Sequence, residues 1–384
     1  MNHEALQKAL KPLLWPLSRV YARIMQQRRK QCIAVHGYRT HHTCVSVGNI
    51  AVGGTGKTPV IGWLLDWAEE HDLKAAVLSR GYGGSHSKKT RAWPLVVNNA
   101  TPASLCGDEP LTLARNHPDA VVFVHARRSR SAHAAEDAHS PNVIFLDDGM
   151  QHLAVKRDAD LVLFRQKDFG DDWDQVLPCG LWREGKEALQ SAAAFLVKAS
   201  AEEFALLTPL AEQRLAPLGK PLFSFILSPI ACERLNAPAE NAPAPPEAVP
   251  PSTAPTPSLK GKKRRKPQPV PEELLHSPYV FFSGLGNPQQ AEKTATEYLG
   301  RPPEAHFSFT DHHAFTAADV AKIAQSKLPV LCTQKDAVKI EPILAHFGSV
   351  PVYVLLARVR FGPALFTKES FPEWWEGWWR DNRR

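Results

Sequence analysis

Two absences set the first bounds on this 384-residue chain. No stretch reaches the roughly 18 consecutive apolar residues that a membrane-spanning helix needs, and the N-terminus lacks both the short apolar core and the small-residue cleavage site of a secretory signal. The six cysteines, Cys32, Cys44, Cys106, Cys179, Cys232 and Cys332, contain no CxxC pair. Such scattered spacing excludes a recognisable zinc site or disulfide framework and suits a reducing cytosol. The expectation is a protein made and kept on the cytoplasmic side.

Charge of one sign is also missing from most of the chain. The formal net charge is +7, yet the excess sits in two places: the first 30 residues, with Lys8, Lys11, Arg19, Arg23, Arg28, Arg29 and Lys30 against Glu4, and the run from Lys260 to Lys266. The remainder is slightly acidic. A local anionic partner is implied, not a basic protein throughout. The first cluster surrounds Leu6, Leu10, Leu13, Leu14, Leu17, Val20, Tyr21 and Ile24, which recur at spacings of three and four and so predict a basic amphipathic helix. Pro12 and Pro16 predict a break or kink in it. Such a helix can pack on a core, or lie in the interface of an anionic bilayer with Trp15 and Tyr21 at headgroup depth; the two readings are compatible.

The stretch that organises the chain is Ala51-Val52-Gly53-Gly54-Thr55-Gly56-Lys57-Thr58. It follows the apolar run Cys44 to Val47 and opens a helical pattern at Val60, Ile61, Leu64, Leu65 and Trp67. Strand, glycine loop and helix form a phosphate-binding unit: backbone N–H groups and the helix dipole face the anion, Lys57 reaches the β- and γ-phosphates, and the Thr58 hydroxyl suits Mg²⁺. The usual pattern opens on glycine, and Ala51 fits there only with negative φ.

Short apolar runs then alternate with helical stretches: Ala75 to Ser79, Ala120 to Val124, Val143 to Leu146, Leu161 to Phe164, Ala194 to Val197 and Leu222 to Leu227. Continuous apolar runs read as strands buried on both faces, so the fold class is α/β with a mostly parallel, P-loop NTPase-like sheet. Between Ala237 and Pro271, 11 of 35 residues are proline and large apolar residues are scarce, which predicts a disordered insert. Its basic run carries no interleaved aromatics, so no nucleic acid is expected as partner. Beyond it, runs at Tyr279 to Ser283, His306 to Phe309, Val330 to Thr333 and Val352 to Leu356, with helices near Pro288, Thr316 and Asp336, predict a second, smaller α/β domain. The expected organisation is a membrane-associating helix over 1–30, a phosphate-loop domain over 31–225, the insert over 237–271, the smaller domain over 272–360 and a tryptophan-rich helix over 361–384. In that last helix Trp374 stacks over Trp378 and Trp375 over Trp379, and packing is favoured over an interfacial belt.

Chemistry-bearing residues gather around this frame. Val143-Ile-Phe-Leu-Asp147-Asp148 is an apolar strand ending in two carboxylates, a Walker-B arrangement in which either acid can hold Mg²⁺ directly or through water. Gly107-Asp108-Glu109-Pro110 puts an acid at a helix start, where capping is the plain alternative. Arg183 and Glu184 follow Leu177-Pro178-Cys179-Gly180 at a loop end. Thr310-Asp311-His312-His313 offers imidazole in the second domain, although adjacent histidines rarely face one ion.

Read in order, Ser46-Val47-Gly48-Asn49, Gly53 to Pro59, Ser79-Arg80-Gly81-Tyr82-Gly83, Gly107 to Pro110, Leu146 to His152, Leu177-Pro178 with Gly180 and Arg183-Glu184, Gly284 to Pro288, Asp311-His312 and Thr333 to Lys339 resemble the tetraacyldisaccharide 4'-kinase family of lipid A biosynthesis. The insert alone looks foreign to it. The resemblance implies two α/β domains joined by a short hinge. It also implies transfer of the γ-phosphate of ATP to the 4'-hydroxyl of a tetraacyldisaccharide 1-phosphate, giving lipid IVA, at the cytoplasmic face of the inner membrane. It further implies that Lys57 and Thr58 serve phosphate and Mg²⁺, that Asp147, Asp148 and Glu184 lie near the metal and Arg183 near the phosphates, and that Asp108 is the general base, oriented by His312. A membrane-bound P-loop switch ATPase is the alternative, and it leaves Asp108, Arg183, Glu184 and His312 without a task.

Overall fold

The computed structural model describes residues 3–34, 37–88, 93–236 and 270–384. Residues 237–269, nearly all of the proline-rich stretch, lie outside the described residues, as do the side chains of Leu6 and Leu10 on the first helix. The chain forms two compact units, one of residues 1–227 with 358–384 and one of residues 228–357.

The first unit is built on a sheet whose strand order is Leu222–Arg234, Ala192–Lys198, Ala159–Phe164, Thr43–Asn49, Val143–Asp147, Ala75–Ser79, Val121–Val124 and Leu95–Val97. All neighbours run parallel except the last pair. Thr43–Asn49, Ala75–Ser79, Val143–Asp147 and Ala159–Phe164 are buried at every position, as expected of strands covered on both faces. Val47 pairs with Asp147, so the strand that feeds the glycine loop and the strand that ends in carboxylates finish side by side.

The first helix is one element, His3–Ala34, running through Pro12 and Pro16, so of the expected break or kink the break does not occur. Both prolines are exposed, so water can take the carbonyls that lose their helical donors. Its faces are sharply divided. Leu13, Leu17, Val20 and Ile24, spaced by four, three and four, are exposed, whereas Tyr21 and Ala22 pack on the first unit's core and Ser18 and Arg29 are buried. Tyr21 therefore belongs to the packed face, as the core-packing reading has it, and not with Trp15 on the outer one.

The second unit pairs Ala305–Ser308, Val280–Ser283, Val330–Thr333 and Val352–Leu365 in that order, all parallel. The last of these strands runs on past Leu356 into residues assigned to the first unit. Its helices start where the sequence marks them: Asn287 accepts from the Gln290 N–H ahead of Pro288–Leu299, Thr316 and Asp319 form a reciprocal cap, and Thr333 accepts from the Asp336 N–H. Each cap satisfies a donor that the first helical turn cannot.

The terminal helix Phe371–Asn382 packs within the first unit. Phe371 and Trp375 are fully buried; the rings of Trp375 and Trp379 meet Trp67 edge-on at 5.3 and 5.1 Å, and Trp67 Nε1 donates to Glu376 at 2.6 Å. Replacing Trp375 by alanine should cost about 3–5 kcal/mol. Phenylalanine, which removes a buried N–H that has no partner, should recover most of that loss. Urea unfolding of both variants checks the pair.

Candidate functional site

The glycine loop has the geometry of an anion cradle. Gly56 caps the helix Lys57–Glu70 with φ of 92° and, as a glycine, puts no capping side chain on the first-turn N–H groups. Its first-turn N–H groups are thus available to a ligand. A Cβ at Gly56 would lie 2.9 Å from the Phe225 ring, whereas one at Gly53 or Gly54 would meet nothing within 4 Å. Ala51 is absent from the described residues with positive φ, which is why a side chain is tolerated where the pattern opens. Asn49 braces the loop: its amide donates to the Gly53 carbonyl at 3.1 Å and its Oδ1 accepts from Lys57 Nζ at 3.2 Å.

A second segment closes on the loop. The Arg183 N–H donates to the Ile50 carbonyl at 2.7 Å and the Val52 N–H to that of Leu181 at 2.8 Å, while Ala51 bridges Trp182. The fully buried Trp182 roots the segment by donating from Nε1 to Asp168. This pairing aims Arg183 at the carboxylates, where Nη1 donates to both oxygens of Asp148 at 2.9 Å and to Gln151 Oε1 at 3.1 Å. Lys57 Nζ stands 3.5 Å from Asp148 Oδ1 on the other side.

The two aspartates have opposite electrostatics. Burial alone would raise the Asp148 carboxyl, but Lys57 and Arg183 outweigh it and hold it below the usual range. Asp148 also has a φ of 50°, a conformation costly for a non-glycine residue. Asp147 is pushed up to about 6, by burial first and then by the charge of Glu109, against the Ser79 hydroxyl that donates to its Oδ2 at 2.8 Å. Its Oδ1 is buried with no hydrogen-bond partner. An ionised carboxylate beside one with an unused oxygen is a donor set suited to a hard divalent cation that keeps several waters; Thr58 stands in the first turn of the helix Lys57–Glu70.

Glu184, directly after Arg183 in the chain, is buried. Its Oε2 accepts from Arg29 Nε at 2.8 Å, and among the described residues no three acidic, histidine or cysteine side chains gather to hold a metal. Asp108 opens the helix Asp108–Asn116, is buried, and accepts from the Glu109 N–H at 2.9 Å. His312 lies in the second unit with φ of 59°, where Lys335 Nζ approaches its Nε2 at 3.3 Å and donates to Asp311 at 3.0 Å.

Three side chains escaped the reading of the sequence. Glu109 faces Asp147 electrostatically. Arg128, first residue of the helix Arg128–His139, is buried with Nη2 at 3.5 Å from the Asp147 carbonyl; burial lowers it to about 10, so it stays cationic at neutral pH. His152 is lowered to about 4 by burial and then by Arg128, Arg157 and Arg80, and takes the Arg128 N–H on Nε2 at 3.2 Å as a neutral ring. Arg29 is the third. Only the position of Arg128 after an apolar run that ends at the same sheet edge could have signalled its role.

The sequence profile of LpxK, tetraacyldisaccharide-1-P 4'-kinase, matches residues 10–369. The chain belongs to this family. The tetraacyldisaccharide 4'-kinase of Nitratidesulfovibrio vulgaris is 43% identical over 381 residues, covering 99% of this chain and 97% of that one. That of Oleidesulfovibrio alaskensis is 41% identical over 387 residues, covering 99% and 98%. A crystal structure of LpxK from Aquifex aeolicus in complex with ATP superposes with a TM-score of 0.70 over 98% of this chain and all of that one, at 24% identity. The α/β fold of this kinase family is thus the fold seen here, and its site lies in the part of the chain that the profile spans.

The raised Asp147 carboxyl gives a prediction with a definite sign. Its folded-state value lies above the unfolded one, so its contribution to stability is complete below about 4 and is lost as pH rises through about 6. Without nucleotide or divalent cation, Asp147→Asn should therefore melt above wild type at pH 8, with the difference shrinking as pH falls from 6 to 4. Calorimetry across that range checks it.

Proposed function

We propose that this protein transfers the γ-phosphoryl group of ATP to the 4'-hydroxyl of tetraacyldisaccharide 1-phosphate, forming lipid IVA, at the cytoplasmic face of the inner membrane. The observation that carries the reading is the glycine loop lying beside the Asp147–Asp148 strand end in a chain of this kinase family. Phosphoryl transfer asks for positioning and charge neutralisation more than covalent help. Lys57 and Arg183, gathered on Asp148, are placed to meet phosphate oxygens, and the helix N-terminus adds its dipole. Thr58, Asp147 and Asp148 would hold Mg²⁺, which when bound supplies shielding of the β- and γ-phosphate charge.

Asp108 is the general base for the sugar hydroxyl, with His312 as its partner. A hydroxyl loses its proton late in such a reaction, so a carboxylate beside it can accept that proton. For Asp108 the capping role and the base role can be separated. Asp108→Asn keeps an oxygen for the Glu109 N–H and removes the base. It should lower kcat by about a hundredfold or more with melting unchanged, and His312→Ala should lower kcat with little change in KM for ATP. The double variant should be scarcely slower than the poorer single, because members of one catalytic unit are strongly non-additive. Multiplying losses would break the pair.

Access to a lipid substrate fits the outward stripe of Leu13, Leu17, Val20 and Ile24, flanked by exposed Arg19, Arg23 and Arg28. No described helix is long and apolar enough to cross a membrane; the exposed apolar stripe with its basic flanks is what supports a helix lying in the interface. The direct test is product analysis in detergent with γ-labelled ATP, Mg²⁺ and tetraacyldisaccharide 1-phosphate. Label should move to the glycolipid, and Lys57→Ala should reduce transfer by about a hundredfold or more. Label released only to water would overturn the reading.

A further inference from the structure

An amphipathic helix that serves only as an anchor can dock through apolar contacts alone, yet His3–Ala34 buries two polar side chains, Ser18 and Arg29. Burying a guanidinium is costly unless it is paired and hydrogen-bonded. Arg29 meets that condition: Nε donates to Glu184 Oε2 at 2.8 Å, Nη2 to the Met150 carbonyl at 3.4 Å and Nη1 to Ser191 Oγ at 3.5 Å. Ser18 Oγ donates to the Val176 carbonyl at 3.0 Å and accepts from the Cys179 N–H at 2.9 Å. All but the Ser191 contact fall on two stretches of chain, 150 and 176–184.

Those two stretches carry the charge pair of the phosphate site. Met150 lies two residues past Asp148, Glu184 directly follows Arg183, and Arg183 closes on Asp148 at 2.9 Å. Arg29 thus fastens the two stretches to each other through a bifurcated guanidinium while Arg183 and Asp148 join them at the site. A planar fork can hold a carboxylate and a carbonyl in fixed relation, which a lysine cannot.

We propose that Arg29 is a positioning residue for phosphoryl transfer: the N-terminal helix, through Arg29, sets the relation of the Arg183 segment to the Asp148 segment, in addition to any part it plays at the membrane. Arg29 touches neither phosphate nor sugar in this scheme. Its kinetic arm rests on the kinase reading above; its structural arm does not.

The test uses the full chain carrying Arg29→Ala or Arg29→Lys. With micellar substrate, Arg29→Ala should lower kcat at least tenfold while KM for ATP stays within about threefold, and millimolar guanidinium should restore part of the loss. Arg29→Lys, which keeps the charge against Glu184 and loses the fork, should fall between. Hydrogen–deuterium exchange should quicken in peptides covering 148–152 and 176–185 in Arg29→Ala, while sedimentation with anionic phosphatidylglycerol vesicles stays as in wild type. Wild-type kcat per folded molecule in both variants, with unchanged exchange, overturns the proposal. So does a loss confined to vesicle-embedded substrate, which would make the helix an anchor alone. If Arg29→Ala does not fold, Arg29→Lys and its exchange pattern decide. If the wild-type chain labels no glycolipid, the kinase reading fails, and the exchange measurements still decide the structural claim.

Discussion

The carboxylate of Asp148 is where the site is tied together. Lys57 comes to it from the glycine loop and Arg183 from the segment that pairs with that loop, so one anion orders two cations before any phosphate arrives. In a partly buried setting such charges interact far more strongly than in water, and their arrangement is fixed in advance of the reaction, which is the property that makes electrostatic stabilisation effective. Everything around the pair serves its placement: Asn49 braces Lys57, Trp182 anchors the stretch that bears Arg183, and Arg29 ties that stretch to Met150.

The arrangement carries a cost in stability. Asp148 sits at positive φ, Asp147 buries an oxygen without a partner, and Glu184 does the same with its Oε1. Strain and unsatisfied polar atoms of this kind persist only where the surroundings over-determine them. Here the surroundings are the fully buried strands Thr43–Asn49 and Val143–Asp147, whose parallel register delivers loop and carboxylates to one edge of the sheet. The N-terminal helix shows a related economy. Apolar residues on one face remain outside while Tyr21, Ala22, Ser18 and Arg29 pack inward, so a single element presents an apolar stripe outward and polar contacts inward.

Much of this was legible in the sequence. Apolar runs bounded by turn residues marked the strands, because burial on both faces demands continuous hydrophobicity. The glycine loop and the Asp147–Asp148 strand end, which the fold sets side by side, could both be picked out, since close backbone approach to an anion needs glycine and a strand end needs no tertiary information to be recognised. Helix starts were placed near Pro288, Thr316 and Asp336, and the caps found at Asn287, Thr316 and Thr333 account for them by local hydrogen bonding. The short antiparallel strand Leu95–Val97 had too little apolar length to register.

What the tertiary structure decided is the pairing of groups far apart in the chain. Periodicity fixed the amphipathic character of the first helix, but which of its faces is buried depends on the surface it meets, so Tyr21 fell on the packed side and the two prolines did not break it. Residue type made Glu184 a candidate beside the aspartates; that its Oε2 also meets the buried guanidinium of Arg29, 155 positions away, no local pattern could show. Arg128 and Glu109 gained their places by the same route, through the field at Asp147. Local sequence determines turns, caps and loops because their hydrogen bonds close within a few residues, whereas the partner of a buried charge is set only when distant segments pack and water is excluded.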